Sequence, residues 1–236
     1  MTRSYSAEQR FSGHAVSPGI GIGPVHEAAE PALVVSHRKI AASDVAAEVA
    51  RLEDALIRSR HQLGKLKARL AGMPEQSQAE ISPLIDAYLH MLGPSRLIRG
   101  IKARVQDGLI GAEAAVQAEA EAPAEAILAL TGSDRAGRLR RAEEVREIGR
   151  RVLRNLTHQP FRSFAGLAQG SVLAATELRP ADAALIVPAN FAGIITNEGG
   201  ADDERETACV PSLTNRQMVL NNGGMRHEAA KKWFVT

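Results

Sequence analysis

Residues 195–209 read ITNEGGADDERETAC, and the chemistry open to this stretch turns on two glycines and the carboxylates behind them. Gly199 and Gly200 follow a short apolar run, where a turn lets backbone N–H groups approach an anion closely. Asp202, Asp203 and Glu204 come directly afterwards, and negative charge repels the phosphate that such a turn would suit. Three readings are open on these residues alone: a phosphate site, a degraded phosphate site, and an ordinary acidic turn.

Other reactive side chains offer less. The sequence GGMRH, Gly223 to His227, joins a glycine pair to an imidazole, but no apolar strand of useful length leads into it. An exposed histidine in a polar terminus is the expectation there. His14, His26, His37, His61, His90 and His158 show no ligand spacing, and no cysteine or carboxylate pattern completes a metal site. Ser17 and Ser171 lack the strand-turn-helix setting of a nucleophile elbow. The single cysteine, Cys209, has no partner for an internal disulfide, which fits a reducing cytoplasm.

The elements that must position these residues are read from texture. The chain has 236 residues, 44% apolar and 24% charged, enough for one large or two ordinary globular domains. Only 3% are aromatic, so Ala, Leu, Ile and Val must build the core. A net charge of +2 without basic runs between aromatics argues against nucleic acid. No apolar run approaches the ~20 residues of a membrane span, and the first residues have no secretory apolar region.

Alternation in GIGIGPV predicts a strand near residue 20. From Ser43, a plausible N-cap, the residues Val45, Val49, Leu52, Leu56, Leu63, Leu66 and Leu70 form a stripe interrupted only by Ser59, which predicts a helix of about eight turns. Ser82-Pro83 reads as the start of a second helix carrying Ile81, Leu84, Ile85, Tyr88, Leu89 and Leu92, ended by Gly93-Pro94. Leu97, Ile98, Ile101 and Val105 mark a third, the Ala/Glu-rich stretch 111–130 a fourth, and Val145 to Leu156 a fifth. Short connections predict an antiparallel bundle. Strand-like GSVLAA and FAGIIT follow, with a short helix between them in which Asp182 lies near the N-terminus. The helices therefore read as an insertion into an α/β domain.

In that order the segments resemble the N-terminal half of Enzyme I, the phosphoenolpyruvate–protein phosphotransferase family. The resemblance rests on AVSPGIGIGPV, AYLHML, GAEAAV, RRAEEVREIGRRVLRNL, VLAATELRPADAAL and FAGIITNEGG, and covers residues 13–200. It implies an α/β phosphohistidine (swivelling) domain with an inserted antiparallel α-helical bundle, mainly helical overall. The implied domains are 13–36 with 158–204 for the α/β part, 40–157 for the carrier-binding bundle, and 205–236 as an aberrant tail, open to disorder. The implied activity is phosphoryl transfer from phosphoenolpyruvate through a histidine to an HPr-like carrier.

Four departures shape what is expected of this chain. Glu204 occupies the position of the family's phosphohistidine, so catalytic residues are expected to be absent and Gly199, Gly200 and Arg179 to be a phosphate-loop remnant. Arg179 stands where the family has a threonine hydroxyl, and is expected to be a solvated arginine, the alternative being a pair with Glu204. The sequence beyond residue 204 loses the family pattern, as a shifted reading frame would cause, and the family's Mg²⁺-binding barrel has no counterpart, so no cofactor is expected. Arg96 and Arg99 replace the acidity that follows the second helix; with Tyr88, His90 and Met91 they are the carrier-docking candidates. The chain is thus expected to be a cytoplasmic, monomeric, inactive relative, without nucleic-acid or membrane partners. The alternative is a non-catalytic carrier-binding or regulatory module.

Overall fold

The computed structural model describes residues 19–28, 32–73, 75–159, 161, 164, 167–176, 178, 179, 182, 185, 186, 190–196 and 215–221. The chain forms two compact units, residues 1–30 with 162–236, and residues 31–161.

The first unit holds a four-stranded parallel sheet. Its strands are β1 (Gly19–Glu27), β2 (Ser171–Ala175), β3 (Phe191–Thr196) and β4 (Asn215–Asn221), in the order β3-β2-β1-β4. β1 pairs with β2 through Val25, His26 and Glu27, and with β4 through its first half. β2 pairs with β3 along its whole length. Every residue of β2 is buried, as expected of a parallel strand covered on both faces. Alternate side chains accordingly serve different cores. Leu173 and Ala175 pack with Ala28, Phe164, Ile186 and Phe191, whereas Val172 packs with Ala192 and Ile195.

The glycines of β1 have a steric cause. A Cβ on Gly21 would collide with the Ala192 carbonyl, and one on Gly23 with the Gly170 carbonyl. Only a bare backbone permits approach this close.

The second unit contains α1 (Val45–Leu70), α2 (Glu75–Met91), α3 (Arg96–Gln106), α4 (Ala112–Ala129) and α5 (Arg135–Leu156). α1 packs against each of the other four, and α4 packs most extensively on α5. Leu52, Leu56, Leu63, Leu66 and Leu70 are all buried along α1, each contributing about 1.5–3 kcal/mol of apolar burial. Ser59 does not break this row. Its hydroxyl donates to the Ala55 carbonyl at 2.8 Å and accepts from Asn155 Nδ2 at 2.8 Å. Gln62 completes the network by donating to Asn155 Oδ1 at 3.0 Å, which ties α1 to α5 with its polar groups satisfied.

Two local expectations are corrected, at the starts of α1 and α2. Ser43 is not the cap of α1: it lies within a single 3₁₀ turn, Ala42–Asp44, and its hydroxyl donates to Asp44 Oδ1. Ser82-Pro83 does not start α2, which begins at Glu75 and carries Pro83 inside it. The first turns of α2 are polar and show no apolar stripe, so the proline looked like a boundary. Within 205–236, Asn215–Asn221 forms a strand alongside β1, so this part of the expected tail has regular backbone structure.

The described residues are mainly helical with one small parallel sheet. Among them, no helix is long and apolar enough to cross a membrane.

Candidate functional site

In the sheet unit, adjacent parallel strands β2 and β3 deliver their carboxyl ends to one edge. Such an edge is where open α/β sheets place ligands, because the loops that leave it diverge and expose backbone groups. The chain leaves β2 toward Arg179 and leaves β3 toward Gly199, Gly200 and Glu204. Those last three residues lie outside the described ones, as do His14, Ser17, Cys209 and the 223–227 segment.

Arg179 is described, and it is not a solvated arginine. Its Nε donates to Asp182 Oδ2 at 3.0 Å, and its backbone N–H donates to the same oxygen at 3.3 Å. The two side chains are only 11% and 9% exposed. Asp182 thus closes the turn that Arg179 begins, its own N–H donating to the Arg179 carbonyl at 2.8 Å while its carboxylate reaches back to the Arg179 N–H. The result is a charge-compensated pair beyond the carboxyl end of β2.

The docking candidates separate in the helical unit. Tyr88 is 4% exposed and belongs to the core, because it lies on the same stripe of α2 as Ile81 and Ile85. A buried ring is not presented to a partner, and the sequence pattern that made Tyr88 a stripe residue already carried that signal. His90, Arg96 and Arg99 are exposed, and Met91 is half-buried.

The corner between α2 and α3 is held by local hydrogen bonds. Ser95 caps α3 by accepting from the Ile98 N–H at 3.3 Å, and its hydroxyl donates to the Met91 carbonyl at 2.6 Å. Arg60 of α1 donates to the Leu92 carbonyl at 2.8 Å, and Arg99 donates to the Pro94 carbonyl at 3.2 Å. His90, Arg96 and Arg99 are therefore carried on a corner held by these hydrogen bonds.

Sequence reasoning missed a buried ionic cluster that sets where α4 begins. Glu48, 6% exposed on α1, accepts from the Ala112 N–H at 2.7 Å and so caps a helix 64 residues away. Arg38 donates to its other oxygen at 2.6 Å, and Arg51 bridges Glu48 and Glu113. No local motif announces a cap supplied by another helix. Glu48 at an otherwise apolar-flanked position of α1 was the one available signal.

Among the described residues, no group of three or more His, Cys, Asp or Glu side chains is arranged to hold a metal ion.

A parallel sheet whose connection carries a helical unit defines a class, and comparison with known proteins gives the family. The profile of the family described as PEP-utilising enzyme, N-terminal, matches residues 12–136. The chain belongs to this family. It is 26% identical over 192 residues to the phosphoenolpyruvate-protein phosphotransferase of Enterococcus faecalis, a match spanning 81% of this chain and 32% of that protein. The corresponding protein of Bacillus subtilis is 27% identical over the same length, again 32% of the relative. The chain thus spans about a third of the curated relatives it matches.

Solved structures agree. The solution structure of an Enzyme I protein is similar with a TM-score of 0.72 and 25% identity, covering 90% of this chain and 84% of that one. The N-terminal domain of the nitrogen Enzyme 1 is similar with a TM-score of 0.58 and 27% identity, covering 89% and 83%.

Proposed function

We propose that this chain is the carrier-recognising portion of a phosphoenolpyruvate–protein phosphotransferase, and that it cannot itself accept phosphate. One observation carries the first half: the likeness to an Enzyme I structure extends over nine-tenths of the chain, through the sheet unit as well as the helical one. The docking partner in this reading is an HPr-like phosphocarrier, and residues 40–157 form the docking bundle, its helices running antiparallel. Residues 13–36 and 158–204 form the phosphohistidine-type domain.

The second half follows from chemistry. Phosphoryl transfer through a side chain needs a neutral nucleophile, with donors around the incoming phosphate. Glu204 is ionised near neutral pH, its reference pKa being about 4.3, and Asp202 and Asp203 add negative charge beside it. Arg179 is already engaged with Asp182, which supports a structural part for it at the sheet edge. Where the relatives' chemistry calls for Mg²⁺, this reading assigns none of the chain's own residues to it.

The test is phosphate acceptance in the transfer direction that needs no other part of the enzyme. The chain is mixed with HPr-like carrier phosphorylated on histidine, and its intact mass is followed. No mass increase is expected, because Glu204 stands where the family's phosphate-accepting histidine would be. A stoichiometric increase equal to one phosphoryl group would overturn the inactive half of the proposal.

A further inference from the structure

The turn between α4 and α5 carries a surface that the fold does not use. Leu128, Leu130 and Leu139 are 36%, 60% and 49% exposed there. Arg135, Arg140 and Arg141 are exposed and Arg138 is half-buried, so four arginines fall within the first two turns of α5. Arg135, Arg138 and Leu139 share one helical face by their spacing of three and four.

This arrangement works against the helix that bears it. The amino end of a helix carries the positive pole of the backbone dipole, and cations in the first turn are unfavourable there. No acid occupies the first turn of α5 to offset them. Asp134, the nearest carboxylate, is engaged in capping, accepting from the Gly137 N–H at 2.9 Å. Arg138 donates to the Gly132 carbonyl at 3.1 Å, which pins the turn. Arg140 and Arg141 attract the Glu144 carboxylate one turn further along α5, whereas among the described residues Arg135 and Arg138 make no ion pair. Local stability explains neither Arg135 nor the exposed leucines, and a counter-surface explains both.

We propose that the α4–α5 corner is a docking surface for a partner protein whose contact face has carboxylates around an apolar centre. The occupant follows from charge complementarity: guanidinium groups select carboxylates and the leucines select an apolar centre. A lipid surface fits less well. Membrane-lying helices present one continuous apolar face, whereas here the leucines are spread over two helices and a turn, and the apolar side of α5 is buried in the core. The inference rests on the docking reading only in taking the helical unit to be the docking unit, and adds the partner's charge to it.

The probe is a pair of labelled helical peptides, one with glutamates flanking leucines and the other with lysine at each glutamate. Anisotropy should show the acidic peptide binding the full chain, with affinity falling as salt is raised. Arg135→Glu with Arg138→Glu should weaken it about tenfold or more, and so should Leu130→Asp. Lys65→Glu with Arg69→Glu, the same charge change at two exposed positions of α1, should leave it in place. Circular dichroism melting shows whether each variant is folded.

Equal binding of both peptides, no binding of the acidic one, or equal loss from the α1 variant would overturn the proposal. So would arginine-dependent binding to phosphatidylserine vesicles without peptide binding. Titrating an HPr-like carrier into the same variants separates the two readings. Carrier binding without any acidic-peptide binding leaves the docking function standing and removes this surface. Acidic-peptide binding without carrier binding does the reverse.

Discussion

Glu144 shows how one side chain's surroundings set a testable pH dependence. Burial on α5 raises its carboxyl above the ordinary carboxylate range, and attraction to Arg140 and Arg141 opposes the rise. A carboxyl whose folded pKa lies above its unfolded one contributes nothing at low pH, where both states are protonated. It costs stability once pH passes through the folded value, because the folded state then holds a poorly solvated charge. Glu144→Gln should therefore be slightly more stable than the parent at neutral pH, and the gain should vanish in acid. Urea melts at both pH values read this directly, and a gain that grows in acid would contradict it. Glu53 is the opposite case: the hydrogen bond and charge of Lys102 lower its pKa. Its small contribution should be lost as pH falls through the lowered value. Asp182 tests the sheet edge. Asp182→Ala leaves the guanidinium of Arg179 without this carboxylate and should cost about 3 kcal/mol in urea unfolding. A loss below about 0.5 kcal/mol, the range of ordinary surface substitutions, would show that the turn does not depend on the pair.

At the scale of elements, α5 crosses α4 closely. A Cβ on Gly149 would stand 2.6 Å from the Ala120 Cβ, so glycine sets how closely these helices approach. Gly149→Ala should destabilise by about 1–3 kcal/mol through overpacking, despite alanine's better helix propensity. Ala120→Gly should recover part of the loss. A stabilised single variant would refute the close crossing. At the end of α5, His158 adopts φ of 55° while the Gln159 N–H reaches back to the Arg154 carbonyl at 2.9 Å. His158→Gly should stabilise by about 1 kcal/mol, since glycine takes that conformation without strain. Thermal melting of each variant decides these cases.

The same elements show what could be read in the sequence. Long apolar stripes announced α1, α3 and α5 because burial of one face imposes a 3.6-residue period. FAGIIT and GSVLAA announced buried strands. The early start of α2 was hidden because its first turns are polar, and the NRQMVLN strand because its apolar run is three residues long. Long-range polar contacts were invisible for another reason. Ser59 with Asn155, and Glu48 with Ala112, are joined only by the tertiary fold. Tyr88 was legible as a stripe residue, and that periodicity correctly outweighs its appeal as a surface aromatic. For the candidate site, the sequence supplied the identities at the sheet edge, whereas the Arg179–Asp182 pairing emerged only in three dimensions.

At the scale of the molecule, the sheet unit and the helical unit answer different questions. In the proposed reading, the chain that leaves the carboxyl edge of the sheet after β3 runs on in sequence to Glu204 rather than to a histidine. The helical unit presents fixed, exposed, basic surfaces at α2–α3 and at the α4–α5 turn. Recognition without phosphate acceptance is the account that joins them. Isothermal titration of the chain with unphosphorylated HPr-like carrier tests it most directly. Saturable one-to-one binding, near −8 kcal/mol for micromolar affinity and weakened by Arg96→Glu with Arg99→Glu, is the predicted result. Absence of heat and of any competition at carrier concentrations well above micromolar would contradict it.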